Sequence, residues 1–241
     1  MTLSFVDAPS PNFDARTAPP EILVLHYTGM RTGSEALDRL RDPQAKVSSH
    51  YMVEEDGRIF RLVPEERRAW HAGVSYWKGQ RNINGVSIGV EIVNPGHEFG
   101  YRPFPDAQIE AVIALCADIR SRWAVDDGHI VGHSDVAPAR KDDPGELFPW
   151  KRLAEHGHGL WVDAPAAPGE PLKRGDDGVG VFAMQAAFTR LGYDLPPDGK
   201  FDEATEQVVT AFQRHWRQGR VDGIADGATR AQLIALLRLA G

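Results

Sequence analysis

With a single cysteine in the chain, no intrachain disulfide can form, and the fold must rest on a buried core. Cys116 itself lies on the stripe Ile109, Val112, Ile113, Cys116, Ile119, Trp123, whose spacing is helical, so it reads as a core residue and not as a reactive thiol. An excess of positive charge is also missing. There are 27 Lys and Arg against 34 Asp and Glu, a net charge of -7, which argues against nucleic acid as a partner because phosphate binding draws on a basic face. No apolar run approaches the ~20 residues of a membrane-spanning helix, so no transmembrane segment is expected. The opening Met1-Thr2-Leu3-Ser4-Phe5-Val6-Asp7-Ala8-Pro9 has neither the basic start nor the apolar centre of a secretory signal. A cytoplasmic location is the expectation for the chain as given, with the periplasm or cell envelope as the alternative if a leader is missing.

What is present is enough for one sizeable core and a smaller second domain in 241 residues. Residues 1–20 are rich in proline and polar groups and read as a surface arm. Glu21-Ile22-Leu23-Val24-Leu25 is a continuous apolar run, the pattern of a strand buried on both faces. Ser34 can cap a short helix from Glu35 to Arg41, closed by Asp42-Pro43. Val47–Val53 and Arg58–Val63 are strand-like and joined by Glu54-Glu55-Asp56-Gly57, a hairpin signal. An aromatic loop runs from Trp70 through Tyr76-Trp77 to Asn84, and Val86–Val93 is a further core strand with Glu91 inside it. A helix capped by Asp106 carries Cys116, and His129-Ile130-Val131 reads as a short strand. Strands with helices between them predict an α/β fold, a mixed central β-sheet flanked by helices.

Residues 163–171 have the composition of a linker. Beyond it, Asp198-Gly199-x-x-Asp202-x-Ala204-Thr205 recurs as Asp222-Gly223-x-x-Asp226-x-Ala228-Thr229, each Asp-Gly making a turn and each second Asp a helix cap. Val181, Met184, Phe188 and Leu191 form one apolar stripe. Val208, Val209, Phe212 and Trp216 form a second, and Leu233, Ile234 and Leu237 a third. A small three-helix domain over 172–241, with a core separate from that of 21–162, is the expectation.

The chemistry concentrates in Gly132-His133-Ser134-Asp135-Val136-Ala137-Pro138-Ala139-Arg140-Lys141-Asp142-Asp143-Pro144-Gly145. Its prolines and Gly145 predict an irregular loop that follows a strand and sets His133 at the strand's end. His26 closes another strand, and Glu91 sits in a third, where an ionised carboxylate is costly unless paired or used. Two neutral imidazoles, His26 and His133, with the carboxylate of Asp143 suffice for a zinc ion and leave one position for water. Asp135, two residues from His133, is the rival third ligand. The flanking Val90 and Ile92 leave open which face of its strand Glu91 occupies.

His26-Tyr27-Thr28, Trp70-His71-Ala72-Gly73, Ser87-Ile88-Gly89-Val90-Glu91 and the run from Gly132 to Gly145 resemble the zinc-dependent N-acetylmuramoyl-L-alanine amidases of the AmpD/AmiD type, over residues 20–162. Residues 172–240 resemble a three-helix peptidoglycan-binding domain through Asp198-Gly199-x-Phe201-x-x-x-Thr205 and Phe212-Gln213. The resemblance implies Zn2+ on His26, His133 and Asp143, with Glu91 as general base and Lys141 stabilising the oxyanion. It implies cleavage of the amide between N-acetylmuramic acid and L-alanine of the stem peptide, in peptidoglycan or muropeptides. His71 matches a substrate-site position, while Tyr51, Trp70 and Trp77 are candidates for the groove. Asp143 is preferred to Asp135 because Lys141-x-Asp143-Pro144-Gly145 can bend the carboxylate back, leaving Asp135 to brace the loop. A monomer is expected. The rival functions are a recognition protein that binds cell wall without cutting it and a metallo-endopeptidase acting on the stem peptide. Loss of the third ligand would mark the recognition protein, and Asp143 is present.

Overall fold

Strands that carry apolar residues on both faces need cover on both, and that requirement organises the molecule. The computed structural model describes residues 3–163, 165 and 168–239; Met1, Thr2, Ala164, Ala166 and Ala167 of the expected arm and linker, with Ala240 and Gly241, lie outside the described residues. In chain order the strands are β1 (Phe5–Asp7), β2 (Phe13–Ala15), β3 (Ile22–Tyr27), β4 (Tyr51–Val53), β5 (Ile59–Arg61), β6 (Arg67–Ala69), β7 (Ser87–Ile92) and β8 (Ile130–Gly132). The helices are α1 (Gly33–Arg41), α2 (Ile83–Val86), α3 (Gly96–Phe99), α4 (Asp106–Arg120), α5 (His133–Val136), α6 (Trp150–Glu155), α7 (Val179–Leu191), α8 (Glu203–Trp216) and α9 (Gly227–Leu239).

Six strands form one mixed sheet in the order β1-β5-β4-β7-β3-β8, and β2 pairs with β6 outside it. The expected hairpin is present: β4 and β5 run antiparallel, closed by Gly57 N–H donating to the Glu54 carbonyl at 2.9 Å. β3, between β7 and the edge strand β8, is parallel to both, which sets His26 opposite Glu91 and Leu25 opposite Gly132. Alternation then sorts the side chains. Leu23, Leu25, Ile88, Val90 and Ile92 pack against Ile109, Val112, Cys116 and Ile119 of α4 on one face. Ile22 and Val24 face the other way, into a cluster with Val181, Phe188, Phe212 and Leu236 of the C-terminal helices.

The sequence repeat produces the same polar clamp twice. Gln185 Nε2 faces Asp198 Oδ1, the Lys200 carbonyl and Thr205 Oγ1 at 3.0–3.1 Å, while Gln185 Oε1 accepts from the amides of Asp198 and Gly199. Gln213 repeats this on Asp222, Ile224 and Thr229, and on the amides of Asp222 and Gly223. Asp202 and Asp226 each accept from the amide three residues on, at 2.9 Å, as expected for caps.

Several local expectations are corrected. Thr32, not Ser34, caps α1, its Oγ1 accepting from the Glu35 amide. Asp106 begins α4 after Pro105 and is not its cap. The run 132–145 is not wholly irregular: its first residues form α5, short enough to finish before Pro138. The largest correction concerns the separate cores. Trp77 is 1% exposed, meets Tyr193 edge-on at 5.1 Å and lies in one cluster with the C-terminal helices. Gly192 permits this contact, since a Cβ there would lie 2.8 Å from the Trp77 ring. Backbone and side-chain bonds cross the same boundary, from Lys78 N to the Gly192 carbonyl at 2.9 Å and from Trp216 Nε1 to the Leu160 carbonyl at 2.9 Å. Because the part of the sheet's second face formed by β3 and β8 is covered by the C-terminal helices, while α1 covers Met52 and Phe60, the two regions should unfold together. Calorimetry should record one transition, and Trp77→Ala should lower the stability of the whole chain by about 3–5 kcal/mol. Two resolved transitions would restore the separate cores.

Candidate metal centre

Parallel strands end at the same edge of a sheet, and polar residues at their carboxyl ends are thereby gathered. His26 is the fifth residue of β3, Glu91 the fifth of β7, and His133 follows β8 directly. Asp143 returns from the loop after α5, tied to it by the Ser134 amide donating to the Asp143 carbonyl at 2.9 Å. The result is a triangle of donor atoms. His26 Nδ1 lies 2.9 Å from His133 Nδ1, and each nitrogen lies 3.0 Å from Asp143 Oδ2. All three residues are buried, and among the described residues they are the cluster able to hold a metal ion.

The partners of the outer ring nitrogens fix which atoms face inward. His133 Nε2 is 3.1 Å from the Ala72 carbonyl, which only accepts, so Nε2 carries the proton and Nδ1 presents its lone pair. The His26 ring is set through two more residues, His71 and Ser87. Ser87 Oγ–H donates to the Ile83 carbonyl at 2.6 Å, so Ser87 Oγ accepts from His71 Nε2–H at 3.1 Å. His71 Nδ1 therefore accepts from His26 Nε2–H at 3.0 Å, and His26 Nδ1 is left with its lone pair toward the centre. Both imidazoles are thus set in the tautomer a cation requires. Gly89 gives His71 its place, as a Cβ there would lie 2.5 Å from the ring.

A cavity of about 370 Å³ opens over the triangle, lined by His26, His71, Glu91, His133, Lys141 and Asp143 together with Arg39, His97 and Arg140. Glu91 shares the face of β7 that carries Ser87 and Gly89, which settles the question of its orientation. It is half-buried, and its Oε2 is enclosed with no hydrogen-bond partner among the described residues. Burial, then the Asp143 carboxylate, pushes its pKa well above the carboxylate range, with Lys141 opposing. Burial, with His133 beside it, takes His26 down to about 4. Burial and the surrounding rings hold His71 well below its ordinary value.

Not every candidate arrives. Tyr51 does not line this cavity: its position on β4 turns it to the α4 face, buried, with its OH donating to Glu65 at 2.7 Å. Trp70 precedes His71 but falls outside the lining, half-buried, its amide held by Ser48 Oγ. Trp77 belongs to the core. His71 lines the cavity but stands behind His26, 7% exposed. Asp135 is buried and turned away from the triangle, accepting from the Gly132 amide. Arg140, which the sequence did not single out, clasps the Trp70–Gly73 loop through the Val74 carbonyl at 2.9 Å and the Ala72 carbonyl. Its signal was only its place beside Lys141.

A pair of imidazoles and a carboxylate around an open cavity, with a carboxylate and a lysine alongside, is the constellation of a metallohydrolase. The chain belongs to the N-acetylmuramoyl-L-alanine amidase family, whose model matches residues 16–146; a model of a peptidoglycan binding domain matches residues 177–233. The N-acetylmuramoyl-L-alanine amidase AmiD of Escherichia coli (strain K12) is 40% identical over 249 residues, covering 94% of this chain and 86% of that protein. The structure of the E. coli AmiD complex with anhydro-N-acetylmuramic acid-L-Ala-D-gamma-Glu-L-Lys aligns with a TM-score of 0.80 at 39% identity, over 95% of this chain and 93% of that one. AmpDh3 from Pseudomonas aeruginosa aligns with a TM-score of 0.75 at 32% identity, over 91% and 92%.

Acid should unfold the metal-free protein early. His26 takes up its proton near 4 when folded but near 6.5 when unfolded, so the unfolded chain binds more protons in that window. Stability therefore falls as pH drops from 6.5 toward 4, by about 3 kcal/mol for His26 alone. Denaturant titrations across this range should show the slope, and His26→Asn should lessen it, the remainder coming from other buried imidazoles such as His71 and His50.

Proposed function

We propose that His26, His133 and Asp143 hold one zinc ion, and that Glu91 and Lys141 act beside it to hydrolyse the amide joining the lactyl group of N-acetylmuramic acid to L-alanine. The convergence of His26 Nδ1, His133 Nδ1 and Asp143 Oδ2 at 2.9–3.0 Å carries this reading. Two imidazole nitrogens with inward lone pairs and one carboxylate oxygen suit zinc, and three protein ligands leave the open position of a catalytic site. Held by these three residues, the ion would supply Lewis acidity, which lowers the pKa of bound water toward ~7.

The chain's own groups do the rest. Glu91, raised in basicity by burial and by Asp143, takes the proton from water as its oxygen attacks the carbonyl. Lys141 lines the same cavity, and no carboxylate of the described residues lies in ion-pair range of it, so its ammonium is available to the developing oxyanion. When the C–N bond breaks, Glu91 passes its proton to the nitrogen of L-alanine, giving a free carboxylate on the sugar side and a free amine on the stem peptide. The cosubstrate is one water. The anhydromuropeptide bound to E. coli AmiD supports the same substrate class for this chain, with the region matching the peptidoglycan binding domain engaging wall polymer.

Chelation should abolish cleavage of an anhydromuropeptide, and one equivalent of zinc should restore it. Elemental analysis finding no metal in active protein would sink the reading. Glu91→Ala should lower kcat by about 10²–10⁴-fold while zinc content holds. Mass spectrometry of the products separates the amidase from an endopeptidase, since the amidase releases the stem peptide whole.

A further inference from the structure

Asp135 is 1% exposed, and its carboxylate accepts three hydrogen bonds. One comes from the Gly132 amide at 2.8 Å. The other two come from the C-terminal helical region: Tyr193 OH donates to Oδ1 at 2.8 Å and His215 Nδ1–H to Oδ2 at 2.7 Å. His215 is held in turn between two indoles, Trp150 at 3.7 Å and Trp216 at 3.6 Å, both stacked. Asp135 lies in α5, the short helix that begins with His133 and whose Ser134 amide bonds the Asp143 carbonyl. Arg214, next to His215, pairs with Asp142 at 2.8 Å, one residue before Asp143. Gln218 reaches the Phe148 carbonyl at 2.6 Å. Tyr193 after α7, Arg214 and His215 at the end of α8, and Gln218 just past it therefore hold the stretch from His133 to Phe148, which bears two of the three donor atoms, by four contacts.

We propose that the C-terminal helical region is a working part of the metal centre: Tyr193 and His215 hold the Asp135 carboxylate and through α5 fix His133 and Asp143, which makes them positioning residues for the amidase reaction. The proposal rests on the reading of the centre given above. Its physical basis is the cost of the alternative. A buried carboxylate stripped of two donors must move or draw in water, and α5 moves with it. A shift there displaces the His133 ring and the loop back to Asp143, and ligand geometry is what sets metal affinity. A region that served only as a tether to the polymer would need none of these bonds.

The test uses the full chain. Tyr193→Phe with His215→Phe keeps an aromatic ring at both positions and the stack between the two indoles while removing both donors to Asp135. Leu236→Ala, in the shared core but away from Asp135, is the control for lost stability alone. In competition with a chromogenic chelator, the double variant should bind zinc about 10–100-fold more weakly, and at saturating zinc its kcat on a soluble muropeptide should fall while KM stays within about twofold. Leu236→Ala should lower the melting temperature and leave both constants within about twofold of the parent. Ring nitrogen shifts of His133 by NMR give a readout without metal: a single tautomer in the parent and in Leu236→Ala, averaged values in the double variant. If the double variant does not fold, Tyr193→Phe alone carries the same measurements with smaller changes. Unchanged shifts, zinc affinity and kcat in the donor variants overturn the proposal, as do equal changes in Leu236→Ala. A parent that binds no zinc would instead overturn the reading of the centre, with the His133 shifts still deciding the positioning role.

Discussion

The register between β3 and β7 is the constraint on which the rest depends. Parallel pairing in that register sets His26 opposite Glu91, and β8 on the other side of β3 ends level with Leu25 so that His133 comes next. A slip of one residue on β7 would turn Glu91 into the α4 core and Val90 into the cavity. The apolar interior of the strands prevents that slip, since Ile88, Val90 and Ile92 already fill the α4 face. Burial thus fixes the register, and the register fixes the chemistry at the strand ends.

Much of this was legible because it is periodic or local. The apolar run at Ile22–Leu25, the hairpin turn, the α4 stripe and the two Asp-Gly repeats follow from neighbouring residues. Glu91's face was also written in β7, where Ser87, Gly89 and Glu91 alternate with Ile88, Val90 and Ile92. The flanking residues alone leave it ambiguous; the contrast between the small, polar set and the branched set resolves it. Aromatic residues misled for a related reason. Tyr51, Trp70 and Trp77 are large enough to serve a groove or a core, and nothing adjacent to Trp77 reveals that Gly192 will make room for its ring. The partners of Asp135 lie 58 and 80 positions away in the chain, and a buried hydrogen bond over that distance leaves no local pattern. A carboxylate two residues from a ligand could as well have been the ligand.

The difference between Asp135 and Asp143 is a matter of what satisfies each charge. Asp135 is satisfied by N–H and O–H donors from Gly132, Tyr193 and His215, which makes it an anchor for α5. Among the described residues Asp143 Oδ2 has the two ring nitrogens as its hydrogen-bond neighbours, and both of those are oriented to accept, not to donate, once His71 and Ala72 have taken the ring protons. Three acceptors facing one another at 2.9–3.0 Å repel unless positive charge stands among them. Such a site is unfavourable by itself and would become favourable on binding a cation, so under the proposed function the energy of metal binding would also be energy of local folding.

Such a site needs rigidity from elsewhere, because donor atoms left to themselves would separate or rotate to recover hydrogen bonds. Three separate supports oppose that. The sheet holds His26, the relay through His71 and Ser87 holds its ring, and α5 holds His133 to Asp143. The last is the weakest when taken alone, since a four-residue helix has too few bonds of its own to resist displacement. Its stiffness is supplied from outside, by Asp135 in the grip of Tyr193, which lies in the core that the helical region shares with the sheet, and of His215, which is stacked between Trp150 and Trp216. Covering an apolar face and steadying a metal centre are accordingly one act of packing in this chain.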